Sequence, residues 1–330
     1  MAEISLLDPV VILKTIEKFT TPQTNMAMSQ IFDSTEDSTD STAEWDVVVG
    51  NREIAKPNVP NSEAHIVPQL GIGRKTASFI YLREKKVFKP TTIRWLRNIG
   101  SNSRARGNAE KAVLRELNDL DRRFDAFMEW CCWGAMRGNL VLNFPDLKAN
   151  VNYLFPASHK PTLAIPWSSI TLAEFIEQIT ALKRVIALDA RTPATDVFIS
   201  GPTMDKVVRI LAASPLLLSD RMRDQLVSTG VVMGLLGLNW HINDYGYVDD
   251  SLTERKYVAD GELFMYTKAN RAQYLMQGPS ADHEAPEGFV GKFVKSWLEP
   301  DPSGRQHLEE WHALPIIERP EQHIFVANVG

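Results

Sequence analysis

The 330-residue chain is long enough for two or three domains, and its 44 % apolar content suffices for real cores. A net charge of −5 argues against a dedicated nucleic-acid binder, and two adjacent cysteines, Cys131 and Cys132, exclude a disulfide framework and fit a reducing compartment. There is no secretory signal and no apolar run long enough to span a bilayer, which points to a cytosolic chain beginning at or near Met1.

Asp8-Pro9 reads as the N-cap and first-turn proline of a short helix with Val10, Ile12, Leu13 and Ile16 on its apolar side. From Phe19 to Asn51 there is no Lys or Arg, while Asp33, Glu36, Asp37, Asp40, Glu44 and Asp46 are acidic. Within this stretch DSTEDSTDST has no core-forming residue and predicts an extended or mobile arm, either a disordered leader or a partner-binding segment. The charge then inverts. Arg74 to Arg106 holds ten basic residues, among them Lys85, Lys86, Lys89 and Arg94, against the single acid Glu84. A contact between one copy's acidic arm and another's basic stretch explains the pair better than nucleic-acid binding, with a merely solvated face as the competitor. Trp45–Ile54 and Ala77–Phe88 predict two strands of a long hairpin with too little apolar material for a core of its own.

Asn108 to Arg137 predicts a long amphipathic helix. Val113, Leu117, Leu120, Phe124, Phe127, Cys131 and Gly134 alternate steps of four and three, the spacing of one helical stripe. Glu110, Arg115, Asp119, Arg122, Arg123, Asp125 and Glu129 fall opposite, with Asp119 placed to pair with Arg123. Asn108 suits the N-cap and Gly138 a left-handed stop, giving a spine roughly 43 Å long. Short strands follow at Asn139–Phe144 and Asn150–Phe155. A second helix over 171–188 carries a Thr171/Glu174 capping box, and Asp196–Ser200 predicts a buried strand. Thr203–Ala213 predicts a third helix, with strands at Leu238–Asn243, Tyr257–Val258, Glu262–Thr267, Tyr274–Met276, Ala313–Ile317 and His323–Val326. The pattern is α+β.

No catalytic constellation emerges. GIGRKT (Gly71–Thr76) imitates a phosphate loop but has Arg74 where glycine is required. YVDD (Tyr247–Asp250) copies a two-metal aspartate pair, although the same residues are ordinary turn composition. HLEEWH (His307–His312) spaces its histidines five apart, about 140° out of face on a helix. No cofactor and no metal are expected.

The order of arm, hairpin, spine helix, second helix and strand–turn–helix resembles the tailed-phage major capsid proteins of the Hong Kong 97-like fold, most closely the lambda-type capsid protein E family. DVFISGPTMDKVVRIL (Asp196–Leu211) is similar to that family's strand, Pro-containing turn and helix. ADGELFMYTKANRA (Ala259–Ala272) is similar to its Asp-Gly-led strand, and the ending LPIIERPEQHIFVANV to its closing strand pair. The resemblance implies an N-terminal arm (1–44), an extended E-loop hairpin (45–90), a peripheral domain (91–202, completed by 315–330) around the spine helix, and an axial domain (203–314). It also implies a structural protein, not an enzyme, that self-assembles into hexamers and pentamers of an icosahedral head enclosing double-stranded DNA without sequence-specific binding. Partners would then be other copies of itself and a separate scaffolding protein, portal and decoration protein, with no membrane. The protein would belong to the virion capsid and assemble in the host cytoplasm. The alternatives are a metal-dependent nucleic-acid enzyme using Asp249 and Asp250, or a portal or tail component. The residues expected to matter are Asp33, Glu36, Asp37, Asp40, Lys85, Lys86, Lys89 and Arg94 for inter-subunit charge. Val113, Leu117, Leu120, Phe124 and Phe127 are expected to form the core face of the spine.

Overall fold

The computed structural model describes residues 26–48, 72–88, 103–144, 147–213, 234–249, 251–268, 272–301 and 303–330, without the side chains of 48, 72, 103–115 and 303. The short helix expected near Val10, Lys89, Arg94, the side chain of Val113, and Asp250 therefore lie outside the described residues.

The chain begins with one π turn, Ala27–Ile31, followed by the strands β1 (Thr35–Asp37), β2 (Thr42–Val48), β3 (Ile72–Ser78) and β4 (Ile80–Phe88). Helix α1 (Ser103–Met136) then runs 34 residues, about 50 Å at 1.5 Å per residue. β5 (Asn139–Asn143) and β6 (Lys148–Asn152) form an antiparallel pair ahead of α2 (Leu172–Ala190), β7 (Asp196–Ile199) and α3 (Gly201–Ala212). Next come β8 (Asn239–Ile242), β9 (Gly246–Val248), β10 (Glu254–Lys256), β11 (Leu263–Tyr266) and β12 (Gln273–Gln277). β13 (Phe293–Pro300), the 15-residue β14 (Ser303–Ile317) and β15 (His323–Val326) close the chain.

Two compact units divide these elements, one of residues 1–43, 77–131 and 275–315, the other of 44–76, 132–274 and 316–330. In the first, β14 lies between β13 and β4, antiparallel to both, and β1 extends the same sheet by pairing in parallel with β12. Leu117, Leu120, Phe124 and Met128 of α1 are buried in this unit. In the second, the sheet order is β15-β11-β7-β8, with β7 and β8 parallel as a crossover through α3 requires. Val197, Ile199, Leu263, Met265, Ile324 and Val326 of this sheet join Phe175, Ile179 and Leu182 of α2 and Val207 and Ile210 of α3 in one core. The alternate residues Phe198 and Phe264 meet Trp133, with ring centroids at 5.4 and 5.0 Å.

Local chemistry explains most boundaries. Thr171 caps α2 and Glu174 reaches back to the Thr171 N–H, completing the capping box. Gly138 ends α1 at φ +77, the left-handed geometry that a side chain resists. Phe79 breaks the expected 77–88 strand into β3 and β4. It packs where a Cβ on Gly278 would come within 2.7 Å of its ring, so only glycine admits it.

Other expectations are corrected. α1 begins five residues before Asn108, because Arg104, Ala105 and Arg106 are good helix formers and carry the helix through Gly107. The stripe passes through Met128, fully buried, and leaves Phe127 half-buried against Trp130. Residues 72–76 of GIGRKT form part of β3, in line with the rejection of a phosphate loop there. HLEEWH lies in β14, consistent with its rejection as a helical metal pair, and Tyr257–Val258, expected as a strand, is a bend after β10. α2, β7 and α3 pack together in the second core.

Candidate functional site

The first unit places charge on both sides of β14. Successive strand residues point to opposite faces, so His307, Glu309 and Trp311 share one face and Leu308, Glu310 and His312 the other. On the first face, Lys292 donates to Asp121 and, at 2.7 Å, to Asp125 of α1, with its ammonium 4.7 Å from the Trp311 ring centre. Glu309 is 1 % exposed beside them, and burial, with Asp121 and Asp125 nearby, pushes its carboxyl up to about 8. His307, also fully buried, shares a 2.9 Å hydrogen bond through Nδ1 with Ser296 Oγ, and burial lowers it to about 4.

On the second face, Glu310 accepts from Tyr81 Oη, Ser280 Oγ and the Ala281 N–H at 3.0, 2.7 and 2.8 Å. Beside it, Asp282 receives Arg83 at 3.0 Å and Lys295 at 2.7 Å. Burial opposes ionisation of Asp282, but the Lys295 and Glu284 N–H hydrogen bonds and the two cations outweigh it and hold the carboxyl low. Both clusters draw on groups distant in sequence. They fasten the sheet, and nothing in them presents a nucleophile to solvent.

The predicted charge residues divide. Lys86 donates to Glu116 and Asp119 of α1 at 2.9 and 2.7 Å, and Arg123 donates to Glu84 at 2.9 Å. Asp119 and Arg123 thus each reach across to β4 instead of pairing with one another. Lys85 is exposed and touches Gln306 at 3.3 Å. Asp33, Glu36, Asp37 and Asp40 are exposed, and Glu36 and Asp37 pair through their backbone with Met276 and Gln277 of β12. Leu117, Leu120 and Phe124 are buried as the stripe requires. Glu129, expected on the solvent side, is buried and accepts from the Ala27 and Met28 N–H groups.

In the second unit, Arg137 forks onto Glu262 at 2.8 and 2.7 Å and donates to Tyr257 O. His159 sits between His323 O at 2.6 Å and Asp189 at 2.9 Å, while His323 Nε2 accepts from Gln273 Nε2 at 2.8 Å. Burial, with His159 beside it, drives His323 down to about 3. Asp249 holds the β9–β10 turn. Its Oδ1 accepts the Ser251 and Thr253 N–H groups at 2.9 Å each, and its Oδ2 accepts from Arg255 at 3.1 Å. These bonds account for the YVDD pattern as turn chemistry. Among the described residues, no three of His, Cys, Asp or Glu gather to hold a metal, and no helix is long and apolar enough to cross a membrane. The Cys131 thiol is fully buried and raised by that burial, the setting of an inert thiol.

This is a scaffold of fastened sheets, and the comparisons agree. The family model of the phage major capsid protein E matches residues 8–328. The chain belongs to that family. It is a major capsid protein of phage heads, a structural component of the virion, and the metal-pair reading of Asp249 and Asp250 finds no support. Among solved structures, a prophage protein of E. coli CFT073 described as a capsid protein is similar at TM-score 0.63 and 15 % identity, covering 96 % of both chains. A phage-related protein of Bordetella bronchiseptica RB50 is similar at 0.57 and 10 % identity, covering 98 % of this chain and 97 % of that one. The capsid of cyanophage P-SCSP1u is similar at 0.54 and 8 % identity, covering 91 % and 86 %. At these identities the structures speak for the fold. Among curated proteins, none matches the chain in sequence.

Proposed function

We propose that copies of this capsid protein close into an icosahedral shell of hexamers and pentamers around double-stranded DNA, assembling in the host cytoplasm with a separate scaffolding protein, portal and decoration protein. The β2–β3 ribbon carries the reading. It is a two-stranded sheet whose β2 buries Ala43, Trp45 and Val47 on its own chain while β3 is exposed along most of its length and free to lie against an adjacent subunit. An E-loop laid over an adjacent subunit covers that exposed side. The acidic residues Asp33 to Asp40, exposed and free of basic neighbours in sequence, suit docking on the basic stretch around Lys85, Lys89 and Arg94 of another copy. Many such contacts, each of about 1,600 Å² at standard size, sum to a shell that resists dismantling while single contacts remain correctable.

We assign the peripheral role to the unit holding most of α1 and the axial role to the unit holding α2, β7 and α3. This moves α2 to the axial side and 275–315 to the peripheral side of the sequence-based division. Deleting 1–44 tests the arm. Sedimentation should show large closed assemblies for the full chain and small species for the truncated one. Equal assembly of both would remove the arm from the mechanism.

A further inference from the structure

Three inward-facing residues of β14 each leave a polar atom without a hydrogen-bond partner among the described residues: His307 Nε2, Glu309 Oε2 and Trp311 Nε1. All three side chains are buried. Glu309 is the middle one, and its surroundings are crowded with charge. Asp121 and Asp125 of α1 and Glu309 make three carboxylates around one ammonium, Lys292. Glu84 stands directly across from Glu309 on β4, occupied by Arg123. Lys86 lies across from His307 but is taken by Glu116 and Asp119. Arg122 of α1 and Arg305 of β14 are further cations of these elements, and among the described residues Lys292 is the cation whose charge acts most strongly on Glu309.

Electrostatics then fixes the proton count. Three ionised carboxylates around one ammonium are disfavoured in a largely buried seam, so the group with the poorest solvation keeps a proton. Glu309 is that group, held up to about 8, and Asp125 is raised by burial as well in spite of Lys292. Burial works against the charge on Lys292, but the two aspartates prevail and keep it an ammonium.

We propose that the α1–β14 seam is a proton-held latch: a proton on Glu309 keeps the strand closed on the helix, and its loss loosens the contact. The sign follows from linkage. Closed, Glu309 stays protonated up to about pH 8, whereas in an opened, solvated seam it ionises near its ordinary 4.5. Opening between those values releases a proton, so the open fraction grows by up to about tenfold per pH unit. His307 opposes this at the acid end: lowered to about 4, it takes up a proton on opening below 6.5. The two effects cancel near pH 5.5, where the seam is tightest; His307 fades above pH 6.5, and towards pH 8 Glu309 dominates. This device stands on the subunit itself and does not rest on the shell assignment.

Native-state hydrogen exchange on the purified full chain reads the latch directly. Protection of 116–131 and 303–313, corrected for intrinsic exchange, should fall about eightfold from pH 6.5 to 8 in the wild type, the Glu309 effect levelling off near pH 8 and His307 offsetting about a factor of two. In Glu309→Gln the fall should vanish, leaving at most the roughly twofold rise that His307 contributes. Equal pH dependence in the two proteins, or a flat wild type, overturns the proposal. If Glu309→Gln yields no folded protein, Asp121→Asn serves in its place. Removing that charge should lower the proton affinity of Glu309 and end the fall before pH 8. A curve identical to wild type then contradicts the latch.

Discussion

Glu129, on the long helix, accepts the Ala27 backbone N–H at 2.8 Å across 102 residues of sequence, and its other oxygen accepts the Met28 N–H at 3.0 Å. The carboxylate sits at the N-terminus of the Ala27–Ile31 turn, where orphaned N–H groups and the local dipole favour an anion. It anchors the arm, whose Ile31 and Phe32 are buried just beyond. Glu129→Ala strands these donors, at about 1–3 kcal/mol for a buried unsatisfied group. Thermolysin should then cut near Phe32 well before the rest of the protein. Unchanged cleavage would show that packing alone holds the arm.

Leu120 is 1 % exposed on the α1 stripe. Leu120→Asp buries an unpaired charge and should abolish folding, whereas Leu120→Ala should cost about 2–5 kcal/mol and still fold. Circular dichroism with denaturant titration separates the two. A native Leu120→Asp protein would place this position on the surface.

Lys85 and Lys86 are neighbours with different duties. Lys86 is spent on Glu116 and Asp119 of its own chain, so Lys86→Glu should weaken the subunit by up to about 1 kcal/mol, because both acids are exposed. Lys85 is open, so Lys85→Glu should leave the melting temperature unchanged and slow assembly at low salt. Reversed effects would put Lys86 at the interface.

Acid should destabilise the second unit through His323. Its folded value of about 3 lies below its ordinary 6.5, so the folded state resists protonation and stability is lost as pH falls from 6.5 towards 3. His323→Asn should remove about one proton from the slope of stability against pH over that range, measured by urea titration. An unchanged slope would mean that carboxylates alone govern acid unfolding.

Asp249→Ala should disorder the β9–β10 turn, seen as faster exchange at Ser251 and Thr253, and magnesium should shift the melting temperature of neither protein. A magnesium-dependent rise lost in the variant would revive the metal reading.

The sequence shows helices through periodicity and caps. Leu117, Leu120 and Phe124 announce α1, and Thr171 with Glu174 fixes the start of α2. β14 hides because it is covered on both faces, so alternation is lost, and its polar run His307–His312 gains partners only on folding, from β4, β13, α1 and the segment holding Ser280 and Ala281. The burial of Glu129 is equally unreadable: a carboxylate at a polar helical position signals solvent, and its partners lie a hundred residues away. The charge inversion between Asp33–Asp46 and Arg74–Arg106 is plain in the sequence. That Lys86 turns to its own helix is a property of the fold.

The central claim is shell formation, and negative-stain microscopy of the purified full chain tests it most directly. The account predicts closed shells, or free hexamers and pentamers that close when a scaffolding protein is supplied. Open tubes, or rings of a single size that never close under either condition, would contradict it and place the chain in a tail or portal.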